Sequence, residues 1–438
     1  MSAAAPYYFQ PECETMPRRD LAALQLARLK TSLAYAYERV PHYRQAFDAK
    51  GVRPEDLKSL DDLALFPFTV KADLRNNYPF GLFAVKQDAL RRIHASSGTT
   101  GKPTVVGYTA NDLSLWADLC ARTMSTNGAR PGEIVHNAYG YGLFTGGLGY
   151  HSGAERLGCA VTPVSGGNTE KQIQLLQDFG ATVLCCTPSY ALNIAETAEQ
   201  MGIDPKSFKV RLAVFGAEPW SETLRGEIDQ RLGLRAQDTY GLSEIIGPGV
   251  AAECPERNGL HGWEDHFLFE ILDPETLKPL PPGQQGELVI TTLTKEALPM
   301  VRYRTRDITS LNLDPCACGR THARLMRITG RNDDMLIIRG VNVYPSQVES
   351  VLVGLPGIEP HYQLVITRQG AMDHLTVEAE ASPLLPEHVY NQTASQVRHH
   401  IKSLIGVTCD VVIKQLGEIP RSLGKAVRVR DLRGKKEG

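Results

Sequence analysis

Between about residue 130 and residue 215 the chain alternates short apolar runs with longer amphipathic segments. Cys159-Ala160-Val161, Val183-Leu184-Cys185 and Leu212-Ala213-Val214-Phe215 are apolar at every position, and each is too short for a core helix. Between the first two, Glu170 to Phe179 puts Ile173, Leu176 and Phe179 on one helical face. A strand that is apolar on both faces must be covered on both, and intervening helices supply that cover. The pattern predicts an α/β fold: a large N-terminal body with mixed, largely parallel sheets covered by helices.

Other segments extend this plan. A helix follows Arg18-Arg19-Asp20, with Leu29, Leu33, Ala36 and Val40 at helical spacing and Pro41 as its stop. Leu288 to Thr291 reads as a strand after the turn residues Gly283 and Gly286. A boundary falls near Gly330-Arg331-Asn332-Asp333-Asp334, which divides the chain into domains 1–331 and 332–438. The second part has its own strand (Met335 to Ile338), a helix after Pro345, and strands at Leu364 to Ile366 and Val411 to Ile413. That set predicts a small α+β domain, with a Lys-rich tail from Arg433 to Gly438 that frays.

Composition removes several function classes. With 47 Lys+Arg against 49 Asp+Glu the formal net charge is -2, which argues against binding nucleic acid by neutralising many phosphates. No apolar run approaches the ~18–20 residues of a membrane span. Pro6, Gln10, Pro11, Glu12 and Glu14 stand where a signal peptide needs an apolar core. Nine cysteines, an odd number spread over 438 residues, argue against a disulfide framework. The expectation is a cytoplasmic enzyme with neither nucleic acid nor membrane as partner.

The strongest local signal is His94-Ala95-Ser96-Ser97-Gly98-Thr99-Thr100-Gly101-Lys102-Pro103. Small residues let a backbone approach an anion, and hydroxyls and a lysine offer donors to phosphate oxygens. This is not a Walker A loop: two residues rather than four separate Gly98 from Gly101-Lys102, and Pro103 replaces the hydroxyl that would hold Mg2+. A plain surface turn is the alternative, and His94 can be a packed residue that shapes the loop.

Four further segments follow in order: Tyr240-Gly241-Leu242-Ser243-Glu244, Tyr303-Arg304-Thr305-Arg306-Asp307, Gly330-Arg331-Asn332-Asp333-Asp334 and Pro420-Arg421-Ser422-Leu423-Gly424-Lys425. With the Ser/Thr/Gly loop they resemble the core motifs of the adenylate-forming superfamily of acyl-CoA synthetases, adenylation domains and luciferases. The resemblance spans nearly the whole chain. Its nearest form is the phenylacetate–CoA ligase family, on Tyr139-Gly140-Tyr141-Gly142-Leu143-Phe144-Thr145-Gly146-Gly147, Phe215-Gly216-Ala217-Glu218-Pro219-Trp220 and Arg339-Gly340-Val341-Asn342-Val343-Tyr344-Pro345.

The resemblance implies two half-reactions. A carboxylate attacks the α-phosphorus of MgATP to give acyl-AMP and pyrophosphate, and coenzyme A then takes the acyl group and releases AMP. Two anions must meet in the first step, so cations are needed where charge develops. Glu244 matches the acidic Mg2+ position, where a hard carboxylate oxygen suits the ion, and Lys425 matches the catalytic lysine. Asp307 matches the acid that accepts hydrogen bonds from both ribose hydroxyls. Ser96, Ser97, Gly98, Thr99, Thr100, Gly101 and Lys102 would handle phosphate. Gly216, Ala217, Glu218, Asp238, Tyr240, Gly241 and Arg331 would complete the nucleotide site. Taken singly, Asp307 could instead pair with Arg304 or Arg306, and Glu244 could cap a helix.

One lysine cannot both assist adenylation and leave room for coenzyme A. The superfamily's solution is rotation of the small C-terminal domain, for which Asp333 matches the hinge, while Gly340 and Val341 would line the coenzyme A tunnel. Tyr139, Tyr141 and Phe144, aromatic residues among glycines, suggest with Gly216 and Ala217 a pocket for a planar aryl acid. Ordinary core packing is the alternative for each ring. A homodimer is expected from the resemblance alone.

Cys316-Ala317-Cys318 reads as half a metal site, and Cys254 with His261 could be the other half, a set suited to structural Zn2+. Reduced, buried thiols are the other reading. Two rival functions share much of this pattern: an adenylation enzyme that loads a carrier protein, and a non-catalytic nucleotide-binding protein.

Overall fold

The computed structural model describes residues 7–95, 103–328, 330–331, 336–338, 341–369, 372–421 and 426–433. The chain forms two compact units. One comprises Met1–Cys186, Phe208–Ala217 and Arg235–Ile328; the other comprises Thr187–Ser207, Glu218–Leu234 and Thr329–Gly438.

The apolar runs become neighbouring strands of the first unit. Ala160–Thr162, Ile134–Asn137, Val183–Cys186, Leu212–Phe215 and Arg235–Leu242 lie side by side and parallel. Beyond Arg235–Leu242 the sheet turns antiparallel through Gly247–Glu253, Leu260–Gly262, Arg324–Leu325 and Leu311–Asn312, nine strands in all. Val183 to Cys186 and Leu212 to Phe215 are buried at every residue, as continuous apolar strands require. A second set of antiparallel strands, Phe267–Leu272, Gly286–Thr292 and Tyr303–Thr309, carries the expected Leu288–Thr291 segment in its middle.

Two helices fix the geometry near the parallel strands. Ala110–Asn127 starts at Thr109, whose hydroxyl caps Asp112 N while the Asp112 carboxylate bonds Thr109 N, a reciprocal cap. Thr145–Leu157 lies flush against it. A Cβ on Gly153 would stand 2.3 Å from Cys120 Cβ, and one on Gly149 would meet Pro248 at 2.6 Å and the Trp116 ring at 2.7 Å. Only glycine permits that approach.

The first expected helix is Arg18–Arg39, burying Leu29, Leu33 and Ala36. Pro41 does not simply end it, because it is the first residue of a second helix, Pro41–Lys50. Proline is well suited there, since the first helical turn needs no N–H donor and its φ is already helical.

In the second unit, strands Asp410–Lys414, Met372–Ala381, Ile358–Gln369 and Val429–Asp431 form one sheet in that order. Helices Pro345–Leu352 and Tyr390–Ile405 contribute Val348, Leu352, Val397 and Ile401 to its core. The helices Pro188–Gln200 and Glu222–Leu232 also belong to this unit. Among the described residues no helix is long and apolar enough to cross a membrane.

Candidate active site

In a parallel sheet, ligands bind beyond the carboxyl ends of the strands. That edge is where the sequence motifs of the first unit emerge. Ile134–Asn137 leads into Tyr139 to Phe144, Leu212–Phe215 into Gly216 and Ala217, and Arg235–Leu242 carries Asp238, Tyr240 and Gly241 and ends just before Glu244. Contacts join these segments. Thr239 donates its hydroxyl proton to Phe215 O (2.9 Å), and its own Oγ1 lies 2.5 Å from the Tyr150 hydroxyl. A Cβ on Gly216 would lie 2.8 Å from Thr239 O, so the chain passes there only as glycine. Ala217 is exposed and has φ 72, a left-handed conformation that costs an alanine energy and marks a constrained turn.

Tyr240 and Asp307 come from different sheets and meet. The phenol donates to Asp307 Oδ2 at 2.5 Å. Arg304 and Arg306 instead turn to Glu287, at 2.6 and 3.5 Å, so the Asp307 carboxylate is not their partner. Asp307 N also donates to Thr305 Oγ1 (3.0 Å), which fixes the backbone under the carboxylate. An aromatic face joined to a carboxylate suits a nucleoside, with ring stacking on one side and a diol on the other. Asp307→Ala should therefore raise the KM for ATP by about 10–100-fold, measured by initial rates, with kcat changed less. Asp238 lies on the same strand, with its backbone N–H donating to Glu253 Oε2 at 3.0 Å.

Glu244 caps no helix. It sits in the turn between Arg235–Leu242 and Gly247–Glu253 and is 8% exposed. Among the described residues no donor reaches its carboxylate, which leaves hard oxygen atoms free for a cation, and this fits Mg2+. The turn is well supported. Tyr108 OH donates to Ile246 O (3.0 Å), Trp116 Nε1 to Pro248 O (2.8 Å), and Ser243 Oγ lies 3.1 Å from Thr145 Oγ1. Lys295 Nζ donates to Glu244 O at 3.3 Å; burial lowers its ammonium to about 8, against the raising influence of Asp112 and Glu244.

The aromatic residues of the glycine-rich loop separate into different environments. Tyr139 is buried, stacks on Tyr150 at 5.2 Å and lies in a core cluster. Tyr141 is half-buried: its oxygen accepts from Asn137 Nδ2 (2.8 Å), and it sits 3.1 Å from His151 Nδ1. Burial pushes its phenol up to about 12, so it stays neutral. Phe144 is 45% exposed. His94 is indeed packed, edge-on to Tyr108 and Trp116, and its Nδ1 donates to Leu143 O at 3.0 Å. The residue just before the Ser/Thr/Gly loop is thereby tied to the aromatic loop.

Glu218 is placed in the second unit, and both its oxygens accept backbone N–H donors: Oε1 from Ser189 (2.7 Å) and Oε2 from Ala426 (2.8 Å). Arg331 and Val341 lie in the short strands Gly330–Arg331 and Val341–Val343. Ser96, Ser97, Gly98, Thr99, Thr100, Gly101, Lys102, Asp333, Gly340, Lys425 and the tail from residue 434 lie outside the described residues.

Cys254, His261, Cys316 and Cys318 come together, with all four ligand atoms within 4.8 Å of one another. Antiparallel pairing of Arg324 with His261 brings the two halves to one place. Cys254 Sγ and Cys316 Sγ are 3.7 Å apart, and a tetrahedron of ~2.3 Å Zn–S bonds has sulfur–sulfur edges of about 3.8 Å. His261 Nε2 lies 3.3 Å from Cys318 Sγ, while its Nδ1 donates to His322 O at 3.3 Å, the second hydrogen bond that usually orients a metal-bound imidazole. The donor set and spacing fit zinc.

Sequence reasoning missed Lys295, Tyr108, Trp116, Asn137 and His151. None stands in a motif, and they reach the site only through tertiary contacts.

The motif geometry agrees with comparison to known proteins. Residues 20–294 match the AMP-binding enzyme family, and residues 340–433 match the AMP-binding enzyme C-terminal domain. The chain belongs to this adenylate-forming family. This AMP-binding enzyme is 53% identical to phenylacetate-coenzyme A ligase of Thermus thermophilus, over 97% of this chain and 99% of the relative. The Escherichia coli phenylacetate-coenzyme A ligase is 55% identical, over 96% of this chain and 97% of the relative. Among solved structures, 2-hydroxyisobutyryl-CoA ligase in the postadenylation state with R3-HIB-AMP aligns with TM-score 0.92 at 31% identity, covering 98% of this chain and 93% of that one. The family and the fold class read from the motifs and the apolar runs are thus borne out for this AMP-binding enzyme.

Proposed function

We propose that this AMP-binding enzyme is a phenylacetate–CoA ligase. It forms phenylacetyl-AMP and pyrophosphate from phenylacetate and ATP, then passes the acyl group to coenzyme A and releases AMP. The observation that carries the reading is identity of 53% and 55% to ligases of that name over nearly the whole chain. The meeting of Tyr240 with Asp307, and a Glu244 carboxylate that no donor reaches among the described residues, support it.

In this reading Asp307 holds the ribose and Tyr240 faces the base. Glu244 would hold the Mg2+ that accompanies ATP, which supplies charge neutralisation at the phosphates. Lys425 neutralises charge between the acyl carboxylate and the α-phosphate, Asp333 is the hinge, and Gly340 and Val341 border the thiol's approach. Tyr141 and Phe144 form the acyl pocket, with Tyr139 as packing behind it. Cys254, His261, Cys316 and Cys318 would hold one structural Zn2+, closed by four protein ligands. The reading includes a cytoplasmic location and a homodimer.

The test is AMP formation with coenzyme A across a panel of aryl and arylacetic acids. Phenylacetate should give the highest kcat/KM, with benzoate lower by about 10–200-fold because one methylene of pocket contact is lost. A different best acid among hydroxyphenylacetate, benzoate and aminobenzoate would move the assignment to another aryl acid–CoA ligase. AMP release indifferent to coenzyme A would point to a carrier-protein acceptor.

A further inference from the structure

The backbone just after Lys295 is anchored by hydrogen bonds to one carboxylate. The Asp112 carboxylate accepts Glu296 N at 2.7 Å and Ala297 N at 2.9 Å, and Thr109 N donates to the same group at 3.0 Å. Glu296 is fixed in turn, because its carboxylate accepts from Thr109 Oγ1 (2.7 Å) and Asn111 Nδ2 (2.9 Å). From this platform the Lys295 side chain runs inward and is only 4% exposed. Its ammonium lies 5.2 Å from the centre of the Tyr108 ring and donates to the carbonyl of Glu244. Tyr108 is itself stacked on Trp116 at 4.8 Å.

Among the described residues this ammonium makes no ion pair. A buried charge without an ion-pair partner costs stability, and methionine would fill the same volume without that cost. Its contacts converge on one place. Lys295 takes the carbonyl of Glu244, Tyr108 that of Ile246 and Trp116 that of Pro248, so a row of donors holds every second carbonyl from the turn into the strand that follows it. The cation in that row is the donor placed at Glu244 itself.

We propose that Lys295 is a positioning residue for Glu244, its ammonium fixing the turn that presents the carboxylate to the cation of MgATP. The inference rests on the assignment of Glu244 to Mg2+. A purely structural lysine would alter stability, whereas a positioning lysine alters how much Mg2+ strengthens ATP binding.

The experiment measures ATP affinity of the full chain by calorimetry with and without Mg2+, in the absence of acid, and compares the ratio of the two. Glu244→Gln should bring that ratio close to one. Lys295→Met should lower it by about tenfold, the value of a charge-assisted hydrogen bond, with Mg2+-free affinity unchanged. Lys295→Arg, which keeps charge and donors, should stay within about threefold of the parent. Where Lys295→Met does not fold, Lys295→Gln is held to the same expectation. If Glu244→Gln lowers the ratio and the Lys295 variants match the parent, Lys295 does not position Glu244. If Glu244→Gln leaves the ratio unchanged, the Mg2+ assignment itself fails.

Discussion

Lys425→Ala is expected to reduce acid-dependent ATP–pyrophosphate exchange by about 10²–10³-fold, the usual loss when one preorganised charge is removed from a developing anion. Attack of a carboxylate on the α-phosphorus brings two anions together, so the ammonium is worth most during the transfer and little before it. The KM for ATP should therefore change far less than kcat. Transfer of the acyl group from supplied phenylacetyl-AMP to coenzyme A has no such meeting of anions and should be largely retained. The two half-reactions are measured separately, as radiolabelled pyrophosphate exchange and as thioester formation from the synthetic adenylate. Equal loss of both would remove Lys425 from a role specific to adenylation.

Removing the cysteine–histidine site has the second large effect. The loop that carries Cys316 and Cys318 also clasps the start of the chain. Tyr8 OH donates to Cys318 O (2.8 Å), Arg320 pairs with the fully buried Glu14 (2.7 Å), and Thr321 Oγ1 donates to Met16 O (2.6 Å). His322 accepts Glu264 N at Nδ1, so its Nε2 carries the proton and donates to Cys13 O (3.0 Å). Cys316→Ser should release one zinc per chain, lower Tm by about 5–10 °C and expose residues 7–16 to proteolysis. Elemental analysis, calorimetric melting and limited digestion read the three effects. Parent protein free of zinc, or a variant with unchanged Tm, would leave the four side chains as reduced, packed thiols and a histidine.

The sequence displays some of these features and hides others for physical reasons. The parallel strands are legible because burial on both faces demands unbroken apolar runs such as Leu212 to Phe215. The antiparallel half is not: Leu260-His261-Gly262 is a strand through its pairing with Glu253 and Arg324, which no local pattern encodes. Pro41 shows a similar limit, since a proline that ends one helix also starts the next, and spacing alone cannot separate the two. Tyr240, Asp307 and Glu244 were legible because they stand in motifs. Whether Asp307 would turn toward Tyr240 or toward Arg304 was not, because the answer depends on Glu287 claiming both arginines from a neighbouring strand. The Cys316–Cys318 pair is visible as a motif and Cys254 with His261 is readable as its other half, while the contact between the halves is made by the sheet register. Lys295 left no signal at all; one lysine in a loop is distinguished only by what lies around it.

The close seating of the helix Thr145–Leu157 bears on how the acid preference of such an enzyme can be redesigned. A Cβ added at its residue Gly149 would run into both Pro248 and Trp116, so the wall behind the aromatic loop is also the support of the Glu244 turn. Any substitution that pushes this helix outward to admit a bulkier acid would displace the magnesium-binding carboxylate proposed there. Selection for new substrates should therefore enrich changes at Tyr141 and Phe144, whose side chains reach the loop surface, and leave the glycines of the helix untouched. A library that randomises 141 and 144 should yield active variants far more often than one that randomises 149 and 153.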